Sequence, residues 1–219
     1  MTALHIDFVS DIACPWCAIG LAALEQAIAN VSGSIAVTLR FQPFQLNPAL
    51  PPEGQDITEH LQQKYGSTPD QQAANYEAIR ARGAALGFEF RKTGRGRTWN
   101  TFDCHRLLEW VGETAPAQQI ALKKALLKAN FTDAQNPADH ALLIKICSDL
   151  GLDATQTAQI LASNDYTDAV RARQRFYAAN QINSVPAVII NQRHLVSGGQ
   201  PVEVFENALR HIATMEPAV

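Results

Sequence analysis

The hydrophobic period changes across Cys14-Pro15-Trp16-Cys17, and no other feature constrains the fold of this chain as strongly. Before the motif, Leu4, Ile6 and Phe8 alternate with His5 and Asp7, the two-residue period of a strand. After it, Cys17, Leu21, Leu24, Ile28 and Val31 fall on one helical face. Two thiols therefore sit where a strand gives way to a helix. Free N–H groups and the positive end of the helix dipole favour a thiolate at such a junction. Pro15 suits the first helical turn, where its missing N–H removes no helix bond. Cys14 is expected as an exposed attacking sulfur, with Cys17 turned back toward the buried face as the resolving thiol.

A Cys-x-x-Cys pair also occurs in structural zinc sites, which need two further ligands, usually a second close pair. Cys104 and Cys147 are isolated from the first pair and from each other. Cys104-His105 are neighbours, but adjacent residues on a helix diverge by about 100° and seldom share a metal. Two structural core cysteines are a poor match as well, since Pro-Trp makes an unsuitable core segment. Redox chemistry is favoured over both, and no metal is expected.

A chain of 219 residues can bury a large core in one elaborated domain or two packed lobes. A net charge of −3 gives no reason to expect nucleic acid or an anionic membrane as partner. No stretch approaches the roughly 18 consecutive apolar residues of a membrane span. The first residues lack a basic region followed by an apolar segment, so no export signal is expected and the cytoplasm is the default location. A stable disulfide framework is not expected there, which again points a close cysteine pair toward catalysis or metal binding.

Ile35, Val37, Leu39 and Phe41 alternate with polar or small residues and predict a second strand. Prolines 43, 48, 51 and 52 punctuate a loop. From Asp56 to about Gln181 the pattern is helical, with breaks near Gly66, Gly87–Asn100, Pro116, Pro137 and Gly151. His140, Leu143, Ile144 and Cys147 form one stripe, making Cys147 a small core residue. Strand signals return at Ala187–Ile190 and His194–Ser197, and a last helix carries Val202, Phe205, Leu209 and Ile212.

This order resembles a thioredoxin fold with a large α-helical domain inserted between its two halves. The chain is similar to the DsbA family of thiol–disulfide oxidoreductases, and within it to the FrnE-type branch. That branch is grouped with 2-hydroxychromene-2-carboxylate isomerases and kappa-class glutathione transferases. The residues carrying the resemblance are 10–17 (SDIACPWC), 41–48 (FQPFQLNP), 100–107 (NTFDCHRL), 184–187 (SVPA) and 197–201 (SGGQP). It implies an α/β fold with a discontinuous thioredoxin-like domain at 1–50 and 182–219 and an inserted helical domain at 51–181.

The resemblance also implies a cis Val185–Pro186 bond facing the cysteine loop, with the Val185 backbone pairing an extended substrate or glutathione as an added strand. Locally, Pro186 also reads as a plain strand-start proline. Trp16 is expected as an exposed apolar wall for substrate beside Pro15. Asp7 has two readings, a buried acid exchanging a proton with Cys17 or a solvent-facing strand residue. Asp11 reads more simply as a turn or helix-start residue. His105 is a candidate base near a thiol, against the plainer reading of a packed histidine. Gly94-Arg95-Gly96-Arg97 lacks the features of a phosphate loop and reads as a basic loop. Ser197 and Gln200 lie where the related enzymes bind the glutamyl end of glutathione.

The implied chemistry is thiol–disulfide exchange through a mixed disulfide at Cys14 that Cys17 resolves. Substrates are proteins or small molecules bearing thiols or disulfides. No cofactor is consumed within the domain, and glutathione is a candidate reductant or cosubstrate. DsbA carries Pro-His between its cysteines, so Trp16 removes a charge and a donor and implies a less oxidising couple. Two rival readings are a glutathione-dependent isomerase or transferase of a small aromatic compound, and a non-catalytic binding module. The sequence specifies neither the oligomeric state nor the direction of exchange.

Overall fold

The computed structural model describes residues 1–215, so 216–219 of the expected C-terminal segment lie outside the described residues. Strand β1 (Thr2–Ser10) runs into helix α1 (Pro15–Val31), which returns the chain to strand β2 (Ile35–Pro43). The register runs in parallel from Thr2 opposite Ile35 to Ser10 opposite Pro43. Parallel neighbours need a crossover, and α1 supplies it. The chain re-enters the sheet much later as β5 (Ala187–Ile190) and β6 (His194–Ser197), then closes with α9 (Val202–Met215). β5 lies antiparallel against β1, with Val9 opposite Ala187, and the strand order is β2-β1-β5-β6. This is the arrangement expected from the order of periodicities, with a helical insertion between β2 and β5.

Strand alternation decides which residues meet. Leu4, Ile6 and Phe8 point to one face and share a core with Cys17, Leu21 and Leu24 of α1 and Phe205, Leu209 and Ile212 of α9. Val9 and Ala187 point the other way into a smaller core with Tyr177 and Ile182. Each fully buried Leu or Phe stabilises by about 1.5–3 kcal/mol relative to exposure.

The insertion begins with β3 (Gln55–Asp56) and α2 (Ile57–Tyr65), followed by α3 (Pro69–Ala85), β4 (Arg97–Thr98), α4 (Phe102–Thr114), α5 (Pro116–Phe131), α6 (His140–Asp149), α7 (Ala154–Ala162) and α8 (Thr167–Ala179). Its helix ends follow local chemistry. Asp56 caps α2 through the Thr58 and Glu59 N–H groups, Thr68 and Gln71 form a capping box on α3, and Gly66 ends α2 in the left-handed region at φ 67°. The β3–β4 ribbon is absent from the sequence expectation, because two-residue strands are too short to show a period. The α7–α8 break is a second difference. There Arg106, buried on α4, donates to the carbonyls of Ile160, Ser163 and Asp165, so a distant guanidinium closes the end of α7.

The insertion packs on the sheet half of the fold through α3 and α5 on α1, and through α4, α5 and α8 on β2. Phe90, between α3 and β4, joins Phe88 and Phe131 at ring separations of 4.8 and 5.4 Å. This cluster presses on Gly83 of α3, where an added Cβ would lie 2.5 Å from the Phe90 ring. Gly83→Ala should therefore cost about 1–3 kcal/mol by overpacking, read as a lower urea midpoint with unchanged slope. A midpoint equal to that of the unsubstituted protein would show that Phe90 yields freely.

Candidate active site

The β1–α1 turn presents both cysteines. Cys14 is the N-cap residue of α1, Pro15 is the first helical residue, and the Cys17 N–H donates to the Cys14 carbonyl at 3.1 Å. All four cysteines are free thiols. Cys17 is fully buried, as its place on the apolar stripe requires. Cys14 corrects the expectation of an exposed sulfur: only 4% of the residue is accessible. Its sulfur lies against the segment just before β5, donating to the Val185 carbonyl at 3.6 Å. The Val185–Pro186 bond is cis. Pro186 packs on α1 at Gly20, where a Cβ would stand 3.0 Å from the proline ring and 3.3 Å from the Gly199 backbone.

The two thiols are displaced in opposite directions. A hydrogen bond from Cys17 draws the Cys14 thiol below its ordinary range, against burial and the nearby Asp11 charge, with help from the Cys17 and Trp16 backbone. Burial pushes Cys17 well above its ordinary range, and the bond to Cys14 and its charge add to that shift. Lys123 opposes the rise.

The buried acid of the site is Asp11, not Asp7. Asp7 is half-buried on the β1 face opposite Phe8, where its carboxylate accepts from Gln42 at 2.6 Å, and strand parity keeps it from the face shared with Cys17. Asp11 is fully buried in the turn and accepts from the N–H groups of Ala13 and Leu46 at 3.1 and 2.7 Å. The Thr101 hydroxyl donates to it at 2.6 Å, and His105 Nε2 lies 3.4 Å away. Asp11 is thus a turn residue, as expected, and also the centre of a polar network that local sequence does not reveal.

His105 is buried, and its Nε2 faces the Asp11 carboxylate. Burial lowers its pKa more than the Asp11 hydrogen bond raises it. Cys104 is buried, donates to the Pro137 carbonyl at 3.0 Å, and is pushed up strongly by burial. No cluster of three or more His, Cys, Asp or Glu among the described residues is arranged to hold a metal ion.

The insertion lines the approach to Cys14. Trp16 is 37% exposed, and the Arg82 guanidinium of α3 lies 5.4 Å over its ring while donating to the Gly199 carbonyl at 2.6 Å. Gln200 donates its side-chain amide to the Ser197 carbonyl at 2.7 Å, and Ser197 itself is exposed. The basic loop at 94–97 has a more specific place than its sequence suggests. Half-buried Arg95 donates to the Ala13 carbonyl at 2.9 Å and lies 5.1 Å over the Phe131 ring, one residue from Cys14. A groove of about 680 Å³ runs between α1 and α5, lined by residues such as Ala22, Leu86 and Lys124, but neither Cys14 nor Cys17 lines it.

Lys123, fully buried on α5, is a charged residue behind the site that the sequence reading did not single out. Its signal was available: it shares a buried α5 stripe with Gln119, Leu122, Leu126 and Leu127, an unusual position for a lysine.

The pH response of stability follows from Asp11 and His105. Burial pushes the Asp11 carboxyl up, but bonds from His105, Thr101 and Leu46 bring it below its ordinary value. His105 is lowered by burial. Both groups bind more protons unfolded than folded, so both contributions are present above their unfolded pKa values and lost on acidification. The urea midpoint should fall as pH drops below about 6.5, where an unfolded histidine charges, and fall further below about 4. In His105→Asn the first decline should shrink, whereas an unchanged decline would assign it to other groups.

A family model described as a DSBA-like thioredoxin domain matches residues 5–210. The structure of a probable DsbA oxidoreductase from Streptomyces coelicolor is 34% identical, covers 99% of this chain and 92% of its own, and superposes with a TM-score of 0.87. The uncharacterized protein YwbO of Bacillus subtilis is 26% identical, over 94% of this chain and 96% of its own length. The cytosolic disulfide reductase DsbM from Pseudomonas aeruginosa, in a structure with GSH, shares the fold at 13% identity and a TM-score of 0.65, covering 96% of this chain and 99% of its own.

Proposed function

Because the chain belongs to the DSBA-like thioredoxin domain family, we propose that it is a thiol–disulfide oxidoreductase cycling Cys14 and Cys17 between dithiol and disulfide. The observation that carries this reading is the different placement of two neighbouring thiols, Cys14 at the helix start against the cis Val185–Pro186 segment and Cys17 fully buried behind it on the apolar face of α1. An attacking sulfur and a resolving sulfur need that difference.

In the reducing direction, the Cys14 thiolate attacks a substrate disulfide, forming a mixed disulfide and expelling one substrate thiolate. Cys17 then loses its proton and attacks the Cys14 sulfur. The Cys14–Cys17 bond forms, the Cys14–substrate bond breaks, and the second substrate thiolate leaves. Two electrons pass from the pair to the substrate, and the reverse sequence oxidises a dithiol. Val185 and Pro186 form the edge against which an extended substrate lies, with Pro15 and the exposed Trp16 ring as its apolar wall.

The reading places the chain in the FrnE-type branch and in the cytoplasm, with residues 51–181 as an inserted helical domain. Among the described residues, no helix is long and apolar enough to cross a membrane. Glutathione is the candidate recycling thiol, a role supported by its presence with the similarly folded DsbM. The Ser197–Gln200 turn, one residue from α9, is the candidate place for its glutamyl end. The presence of both cysteines favours dithiol exchange over glutathione-assisted isomerisation, which needs only a bound thiolate and one supporting side chain.

Cys17→Ser should trap mixed disulfides at Cys14 and abolish turnover in a dithiol oxidation assay, since a chemical step is lost rather than binding energy. Cys14→Ser should abolish turnover without trapping. Full activity of Cys17→Ser on a small aromatic substrate with glutathione, and no trapped species, would replace this reading with the isomerase.

A further inference from the structure

We propose that Arg82, with the basic loop at 91–97, selects acidic substrates: peptide segments that carry carboxylates beside the reacting sulfur. This rests on the dithiol reading above and gives that site a substrate class. Residues 80–97 contain six cations, Arg80, Arg82, Arg91, Lys92, Arg95 and Arg97, and a single carboxylate, Glu89, in a chain whose net charge is −3. Among the described residues only Arg80 of the six forms an ion pair, with Glu77 of its own helix.

The fold puts these unpaired cations beside the reactive turn. Arg82, half-buried on α3, holds its guanidinium 5.4 Å over the Trp16 ring and donates from Nη2 to the Gly199 carbonyl at 2.6 Å. Its Nε and Nη1 have no acceptor among the described residues, so donors remain for a ligand. Arg95 reaches the other side of Cys14 in sequence, where it donates to the Ala13 carbonyl at 2.9 Å. Tyr76 ties the loop to α3 by donating to the Arg91 carbonyl at 2.6 Å, and the Arg91 and Lys92 residues stay exposed.

A carboxylate is the matching ligand. A planar guanidinium takes it through parallel N–H bonds, and stacking on Trp16 holds the fork in place beforehand. An extended peptide suits the spread of cations over α3 and the loop, because a segment lying along the Val185 edge turns alternate side chains to one side. The reacting groups alone predict the reverse preference. The Cys14 thiolate and Asp11 are both negative and repel an acidic segment, so any gain for acidic substrates has to come from the cations of the insertion. Such a gain acts largely on the rate of encounter and is screened by salt.

The test uses short peptides with one central cysteine, activated as neutral 2-thiopyridyl mixed disulfides, that carry Asp, Asn or Lys at the positions flanking the cysteine. Reduced Cys14 bonds to the peptide sulfur, the peptide–thiopyridyl bond breaks, and the coloured thiopyridone leaves with the electron pair. Each second-order rate is divided by that of dithiothreitol with the same peptide, which removes intrinsic reactivity. The Asp peptide should react about tenfold faster than the Asn peptide at low salt, and the Lys peptide more slowly than either. The advantage should fall to about twofold near 0.5 M salt. Arg82→Gln should lower it to about threefold, Arg82→Lys should retain more of it by keeping the charge, and Arg91→Gln combined with Lys92→Gln should about halve it. A merely structural role for Arg82 slows all three peptides alike and leaves the ratio unchanged, which would overturn the proposal. Equal rates for the Asp and Asn peptides in the unsubstituted protein would overturn it without any variant. Where Arg82→Gln does not fold, the double variant decides by the same ratio. Release from none of the peptides would defeat the dithiol reading itself, a result distinct from release that is indifferent to their charge.

Discussion

The site depends on keeping one carboxylate ionised without water. Asp11 has no accessible surface, and its oxygens are satisfied by donors from the turn itself, the segment after β2, and both the N-cap and first turn of α4. Removing one partner of such a buried charge costs about 3–5 kcal/mol, a large share of the stability of a typical domain. The network therefore joins segments that are 90 residues apart in sequence. It also fixes the turn that carries the thiol, since the Cys14 N–H donates to the Asp11 carbonyl at 3.3 Å. The positions of both sulfurs follow from satisfying that carboxylate.

This solution has an electrostatic cost, because Asp11 disfavours a thiolate at Cys14. The lowered Cys14 thiol shows that local donors outweigh the repulsion. The Cys17 thiol contributes most, and the backbone at Cys17 and Trp16 adds to it. The same hydrogen bond that favours a thiolate at Cys14 holds the proton on Cys17. The two cysteines are thus differentiated by one shared proton and a difference in burial, without a charged residue between them.

Much of this was legible in the sequence, and the part that was not has a physical explanation. The β1, α1, β2, β5, β6 and α9 elements follow from runs of period 2 or 3.6 long enough to be counted. Cys17 is buried where its stripe places it, and the Val185–Pro186 segment lies against Cys14 as the resemblance implies. Asp7 and Asp11 were harder to separate. Strand parity alone turns Asp7 away from the Phe8 face, but nothing within residues 10–17 shows that Leu46, Thr101 and His105 converge on Asp11. Arg95 was hidden for the same reason: its loop looks solvent-facing until Phe131 and the Ala13 carbonyl are brought beside it. Lys123 differs, because its lysine in an apolar stripe was visible and only its neighbours were not.

The division of charge between the two parts of the fold has a redox consequence. Helix α1 contains no lysine or arginine, and the turn before it supplies only the negative charge of Asp11. The cations next to the cysteine turn, Arg82, Arg95 and Lys123, all come from the insertion. A thiolate at Cys14 exists only in the reduced state, so any cation that interacts with it stabilises that state and makes the couple more oxidising. Arg95 and Lys123 both feel the Cys14 charge, whereas Asp11 opposes it from the other side. In a dithiol couple the potential would balance the Asp11 carboxylate against cations held by how the helices pack. Repacking the insertion would move those cations and, through Thr101 and His105, also disturb the donors that hold Asp11, so in a dithiol couple the two opposing charges are linked through the same helices.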